Sequence, residues 1–532
     1  MKLRITSFIC LFILLSGNVF SQADKLTLSF EEALNMSYKN NSIFKQNDLL
    51  KREKEQERKA AFGLYMPQVS LSANYVYMQK DLHLDMTPVR DAITPLYDIL
   101  GNYGNFKGVS IPGMPGRYLI DPTTGKPAMN PMTKKPLDVS NLPSVISGGS
   151  ETDFMNSKLR PQIAAGKDKV MSAQWDQMIQ KKSFATLGVN MMWPLYAGGK
   201  IRAANKVAKL KMTEADLKAE QKTFKHIDQM VERYYGLCLA QQVKTVREDV
   251  YKAMKNHMRD AEKMYKSGLI AKVQYLHAKV FFDDADREYK KSKRQVSVVK
   301  KGLSNTLGIE KTDIITISKL FYLKEIKDLD YYKNSAKENS PILKMVENKK
   351  SMARQKYKVE RADLLPSVAA MGMYDIANKD LSHMMPEYMV GIGLKWNIFS
   401  GQKSYRKTKA AKLTIERVGQ IKEKYESDIN TGITKYYETL QMYIEQLEAL
   451  NTSMSFANEY YSVRDKSFKE GMATSTELVD AKLVVTKVQI DRLKVLYDFD
   501  VCLSKLLELS GLSHNFVAIQ QSIDVINEEY KN

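Results

Sequence analysis

From Lys200 to Lys266 the chain contains no proline and a single glycine, Gly236. Wound as one helix at about 1.5 Å per residue, such a segment reaches roughly 100 Å, about three times the diameter of a small domain. A partner segment runs from about Val273 to Leu307 beyond a reversal at Gly268, and the second half of the chain repeats the pair. Apolar residues recur along these segments at three- and four-residue spacing: Ile227, Val231, Tyr234 and Cys238; Val296, Val299, Leu303 and Leu307; Val495, Phe499, Cys502, Leu506 and Leu509. That is the pattern of a coiled-coil seam, and the remaining faces are charged. Helices of this length build a rod or a tube, not a globular core.

The repetition is detailed. MMWPLYAGGKIRAANKVAKL, beginning at Met191, is answered by LKWNIFSGQKSYRKTKAAKL, beginning at Leu394. Setting Trp193 over Trp396 without a gap also sets Gly188 over Gly391, Gly198 over Gly401, Tyr234 over Tyr437, Gly268 over Gly471 and Gly308 over Gly511. A gapless match of this extent reads as a tandem duplication. Earlier blocks match at a second, larger offset: NNSIFK at Asn40 with NSPILK at Asn339, and YMPQVSLSANY at Tyr65 with LLPSVAAMGMY at Leu364. The first half therefore carries a surplus at about 78–182, which holds ten of the chain's 15 prolines. It reads as a long irregular excursion with short helices near Pro88 to Leu100 and Asp168 to Ile179.

Four segments alternate in the β manner. Leu71, Ala73, Tyr75 and Tyr77 oppose Ser70, Ser72 and Asn74; Leu187, Val189, Met191 and Trp193 oppose Thr186, Gly188 and Asn190. In the second half Val390, Ile392, Leu394 and Trp396 oppose Gly391, Gly393, Lys395 and Asn397, and a weaker segment follows Pro366. Strands of this length and polarity suit a tilted transmembrane barrel, or the half-buried sheet of a soluble domain. Four strands cannot close a barrel, and open strand edges in lipid are prohibitive, so barrel strands would have to be pooled among chains. Three chains supply twelve strands.

The termini and composition narrow the setting. Lys2 and Arg4 precede a short apolar run, Ile5 to Leu15, and Ser21 offers a cleavage position, so residues 1–21 read as a signal peptide. Cys10 lies inside the apolar run, which does not suit lipid attachment. Two cysteines remain, Cys238 and Cys502, too few for a disulfide framework and at matched heights on the helical seams. The net charge of +20 is spread along the helices among Glu and Asp, the sign of a solvated surface rather than a nucleic-acid site. Ala197-Gly198-Gly199-Lys200 imitates a phosphate loop, but Pro194 replaces its first glycine and Ile201 its Ser or Thr. No metal spacing, no cofactor motif and no nucleophile elbow is legible, so no enzyme is expected.

The chain resembles the TolC family of outer-membrane efflux proteins over nearly its whole mature length. The likeness rests on LTLSFEEALNMSYKNNSIFK, LYMPQVSLSANY, WPLYAGGK with WNIFSGQK, and the reversals YKSGLIAKVQYLHAK and FKEGMATSTELVDAK, in order and duplicated. The resemblance implies a mostly α protomer with a membrane β-barrel: a homotrimer forming a twelve-stranded barrel continued by a long α-helical coiled-coil barrel. It implies a first repeat over 22–311 with a helical hairpin at 200–308, a linker at 312–330, a second repeat over 331–511 and a tail at 512–532. The second repeat would hold strands at about 367–375 and 388–398 and a hairpin at 402–510. The implied activity is a passive exit duct in the outer membrane with a periplasmic extension. Its partners would be a periplasmic adapter and an inner-membrane pump of RND, ABC or MFS type.

Roles follow on the same terms. Glu477 and Asp480 match positions lining the periplasmic constriction, where three chains would assemble a ring of carboxylates. Gly268, Leu269, Gly471, Met472 and Ala473 would form the tips that meet the adapter. Trp193 and Trp396 would end the down-going strands in an aromatic girdle. Pro194, Gly198, Gly199 and Gly401 would form the strand-to-helix joints; Asn397 and Gln402 replace Pro194 and Gly199 in the second copy, so the two joints need not bend alike. Phe468 stands where some relatives carry an aromatic hydroxyl, and Ala473 where some carry an Arg, which argues against a latch at that position. An exported coiled-coil scaffold or adhesin is the alternative, disfavoured by the four strand segments. A free diffusion porin would not need the long helices.

Overall fold

A computed structural model describes residues 26–102, 109–121, 123–140, 155–310, 313–522 and 525–527. The signal-peptide expectation for 1–21 lies outside them. The chain divides into two units, one of Pro67–Leu195 with Val368–Leu394, the other of the remaining segments.

The smaller unit is built on a four-stranded sheet. Strands β1 (Gln68–Tyr77), β2 (Ser183–Ala197), β3 (Ser367–Lys379) and β4 (Tyr388–Lys395) lie in the order β4-β3-β2-β1. β1 and β2 are antiparallel, in register from Gln68 with Met192 to Tyr77 with Ser183. The alternation has visible consequences. On one face the Asn190 amide donates to Ser72 Oγ at 2.7 Å. On the other, large apolar residues stand in the open, with Tyr75 at 73% exposure and Val390 at 75%. The sheet ends at β1 and β4 among the described residues, leaving two edges.

Two readings of these strands need correction. β2 does not end at Trp193 but continues through Pro194 to Ala197. Pairing with β1 stops at Met192, so the proline's missing N–H costs no ladder bond on that side. β4 stops at Lys395, one residue before Trp396, so the expected strand to 398 is shorter. The Trp396 indole instead donates to Leu364 O at 3.1 Å.

The excursion between β1 and β2 is folded in part. Strand Leu82–Asp85 pairs antiparallel with Asp176–Gln180, and helix Thr87–Asn102 packs on helix Arg160–Ser172. The expected helix over Asp168–Ile179 is displaced. Pro161 suits a first helical turn and starts the helix early, while 176–180 is drawn into the strand pair. Gln180 ties this excursion to the β3–β4 turn: its amide donates to Asp380 O at 2.8 Å and its carbonyl accepts from Ser382 N at 2.8 Å. The Lys181–Asp380 ion pair lies alongside, and Asp380 sits at φ 59°, a left-handed position that Asp tolerates better than most side chains.

The larger unit is helical. Its long hairpins are α1 (Lys200–Lys266) with α2 (Lys272–Leu307), and α3 (Lys403–Lys469) with α4 (Ser475–Ser510). α1 packs on α2 and α4, and α4 on α3, giving the lateral order α2-α1-α4-α3. Helix Ser42–Phe62 packs on α1, and helix Pro341–Ala362 lies between α1 and α3. Each seam residue read from the sequence is buried or half-buried.

The main hydrophobic core lies where the first and last described strands meet the linker. Strand Leu26–Leu28 pairs parallel with Ile314–Thr316, and Val525–Asn527 antiparallel with Phe321–Leu323. Phe30 contacts Tyr234, Tyr235 and Phe516 with ring centroids 5.5, 5.5 and 5.2 Å away, and Tyr235 meets Phe321 at 5.9 Å. Such contacts add about 0.5–1.5 kcal/mol each beyond their burial. Tyr234 donates to Leu28 O at 2.7 Å and accepts from Ser318 N at 3.0 Å, joining α1 to the N-terminal segment and the linker. The duplication is also a duplicated contact: a Cβ at Gly308 would lie 2.9 Å from Asn40 C, and one at Gly511 2.6 Å from Asn339 C. Cys238 and Cys502 are free and buried, donating to the carbonyls of Ser318 and Tyr436, and burial pushes each thiol up to about 12.

Candidate channel tip and strand-to-helix joints

At the first tip α1 stops because Gly268 turns left-handed, φ 72°. Gly268 N donates to Tyr265 O at 3.0 Å and Leu269 N to Met264 O at 2.9 Å. The second tip repeats this with Gly471 at φ 75°, Gly471 N to Phe468 O at 3.0 Å and Met472 N to Ser467 O at 2.8 Å. The residue after each glycine is thrust into solvent: Leu269 is 72% exposed and Met472 71%. Ala473 is half-buried beside it.

The two hairpins re-enter their helices differently. α2 follows Ala271, which offers no side-chain cap. α4 begins with a reciprocal cap: Glu477 N donates to Thr474 Oγ1 at 3.3 Å, and Thr474 N donates to Glu477 Oε2 at 2.8 Å. The other carboxylate oxygen, Oε1, accepts from Arg464 at 3.3 Å. The Thr474 backbone N–H, then its hydroxyl, then Arg464 hold the Glu477 carboxyl below its usual range. Asp480, one turn on, is exposed. Glu477 is therefore already engaged within its own hairpin, whereas Asp480 presents its carboxylate to solvent.

Sequence reading passed over two groups here. Thr474-Ser475-Thr476-Glu477 spells a capping box and was legible as one. Arg464 was not, because its pairing with Glu477 exists only once the bend at Gly471 folds α3 back on α4. An Arg–carboxylate pair is present after all, inside one hairpin rather than at the Ala473 position.

At the joints Gly198 and Gly199 have φ 60° and 84°, and Gly401 and Gln402 have φ 60° and 63°. The two copies thus bend alike, although their differing residues did not require it. A left-handed pair is what lets each chain stop extending and start a helix, and Gln402 accepts the strain glycine would avoid. The first joint is the tighter: a Cβ at Gly198 would lie 2.8 Å from Ala362 O, while nothing lies within 4 Å of one at Gly401. Lys200 pairs with Asp363 at 3.0 Å beside it. Trp193 lies within β2 and is partly exposed.

Residues 333–512 match the model of the outer membrane efflux protein family. The chain shares its fold with the CmeC outer membrane channel of Campylobacter jejuni, at 12% identity and a TM-score of 0.62, over 91% of this chain and 86% of that one. VceC, an outer membrane protein of Vibrio cholerae, gives 10% identity and 0.62 over 91% and 96%. The open MtrE outer membrane channel of Neisseria gonorrhoeae gives 11% and 0.57 over 91% and 89%. No curated protein sequence matches significantly. The solved structures that share its fold are outer-membrane channels and proteins. The family match falls on the second repeat, and the resemblance to outer-membrane efflux proteins drawn from the sequence stands.

Proposed function

We propose that this chain is the outer-membrane exit duct of a tripartite efflux or type I secretion system, a homotrimer whose pooled strands close a twelve-stranded barrel and whose hairpins close a helical tube. The observation that carries the reading is a pair of unmatched edges in each layer. The sheet ends at β1 and β4, and the helical layer ends at α2 and α3. Strand edges cannot be left bare in lipid, and the outward Tyr75 and Val390 sides suit hydrocarbon. Edges that differ in identity join head to tail, and three such joints make a ring.

The helical edges carry matching stripes. Val273, Leu276 and Val280 are exposed on α2, and Phe456, Tyr460 and Val463 on α3. Leu276 and Val463 stand equally far from Gly268 and Gly471 along their helices. In this reading the α2 stripe of one chain meets the α3 stripe of the next. The exposed Leu269 and Met472 serve as apolar contacts for a periplasmic adapter, and the inner-membrane pump supplies energy. Asp480, with Glu477, rings the constriction.

A double variant, Leu276→Cys with Val463→Cys, tests closure directly, since both native cysteines are buried. Oxidation in intact outer membranes should give a covalent trimer on non-reducing gels, absent in either single variant. Species that stop at monomer would overturn the ring.

A further inference from the structure

Near their tips the two hairpins meet at an imidazole, beside an apolar cluster that joins Val250, Met254 and Ala285 to Val479. His257, in α1 ahead of Gly268, is 6% exposed. Its Nε2 lies 2.6 Å from Ser475 Oγ, the first residue of α4. Its ring stands edge-on to Phe468, in the last turn of α3, at 5.0 Å. A single side chain of the first hairpin therefore meets the second on both sides of the Gly471 bend, in the same helical turn as Glu477.

The surroundings favour a neutral ring. From its own helix Asp260 faces it, and from α3 Asp465, already paired with Lys469 at 2.7 Å. From α2 comes His277, whose ring rests on Phe281 at 4.6 Å and whose Nδ1 is buried with no hydrogen-bond partner. From α4 comes the helix N-terminus, the positive end of its dipole, with Glu477 drawn off to Thr474 and Arg464. A proton on His257 would place a buried cation against a helix N-terminus and a second imidazole, with only partial relief from two aspartates.

We propose that His257 is a proton-operated latch between the hairpins: neutral, it holds Ser475 and Phe468 and keeps the tip closed; protonated, it releases them. Burial, the largest influence, lowers its pKa below the ordinary 6.5, with His277 adding to the shift and Asp260 and Asp465 opposing it. The closed contact binds fewer protons than the open one, so it is intact above 6.5 and weakens as pH falls toward and through the lowered value. The inference rests on the duct reading only for what a loosened tip does.

The test uses the full-length protein in lipid nanodiscs. Hydrogen exchange of residues 465–480, corrected for the pH dependence of the chemistry, is measured at about pH 7.5 and about pH 5, a range that spans histidine titration. Wild type should lose protection several-fold on acidification, as the ring takes up a proton. His257→Gln should show one level of protection at both pH values, and His277→Gln should keep the acid response. A wild type without the response, or a His257→Gln variant that retains it, overturns the latch. Planar-bilayer conductance of the same samples separates the two readings: His257-dependent loosening with no channel at either pH supports the latch and counts against the duct.

Discussion

Asp500 is fully buried in α4, beside Tyr235 and Cys238 in the aromatic core. Burial drives its carboxyl well above the usual range, against a smaller opposing pull from the Phe321 backbone. A group whose folded pKa is raised stabilises the fold while protonated, and that contribution is lost as pH rises through the folded value. Thermal unfolding of detergent-solubilised protein should therefore show a midpoint that falls toward alkaline pH. Asp500→Asn, which cannot ionise, should flatten that fall, and an unchanged pH profile would contradict this account. Nothing at the level of sequence pattern marks Asp500 as buried: it sits among Phe499, Val501 and Cys502 on a helix that also carries exposed acids, Asp480 and Asp491.

Among the elements, the joints and caps have separable energetics. Gln402 holds a left-handed conformation that costs a side-chain-bearing residue about 1–2 kcal/mol, so Gln402→Gly should stabilise by about 1 kcal/mol. Gly199→Ala meets strain but no neighbour, whereas Gly198→Ala also drives a Cβ toward Ala362 O. Gly198→Ala should be the more damaging of the two by melting temperature, and equal effects would mean that the contact with Ala362 yields freely. At the tip, Thr474→Ala removes one half of the cap on α4 and should cost about 1 kcal/mol. The element boundaries were readable to within a few residues because the long helices carry no proline and few glycines, and strands alternate, whatever lies around them. The excursion was less legible: its strand Asp176–Gln180 exists by pairing with Leu82–Asp85, about ninety positions away, and no local signal encodes that partner.

At the scale of the whole molecule, the proposed constriction divides its labour. Glu477 is committed to the cap and to Arg464, while Asp480 is exposed. If three chains bring these groups together, Asp480→Asn should reduce cation selectivity more than Glu477→Gln, whose larger effect should fall on stability of the tip. Reversal potentials in asymmetric salt measure the first. A selectivity lost only with Glu477, or left intact when both are neutralised, would remove the ring.

What the chain's sequence determined by itself was periodicity and duplication: two helical hairpins too long for a globule, four short amphipathic strands, and a glycine at each reversal. These depend on local sterics and on which face of each element is apolar, so they can be read residue by residue. The tertiary structure alone decided neighbours. It set the orders β4-β3-β2-β1 and α2-α1-α4-α3, brought Arg464 to Glu477 and His257 to Ser475, and fastened Tyr234 to Leu28. It also gave Gln402 the same left-handed bend as Gly199. Contacts between residues far apart in the chain arise from packing whole elements together, and packing is a property of surfaces that no single stretch of sequence contains.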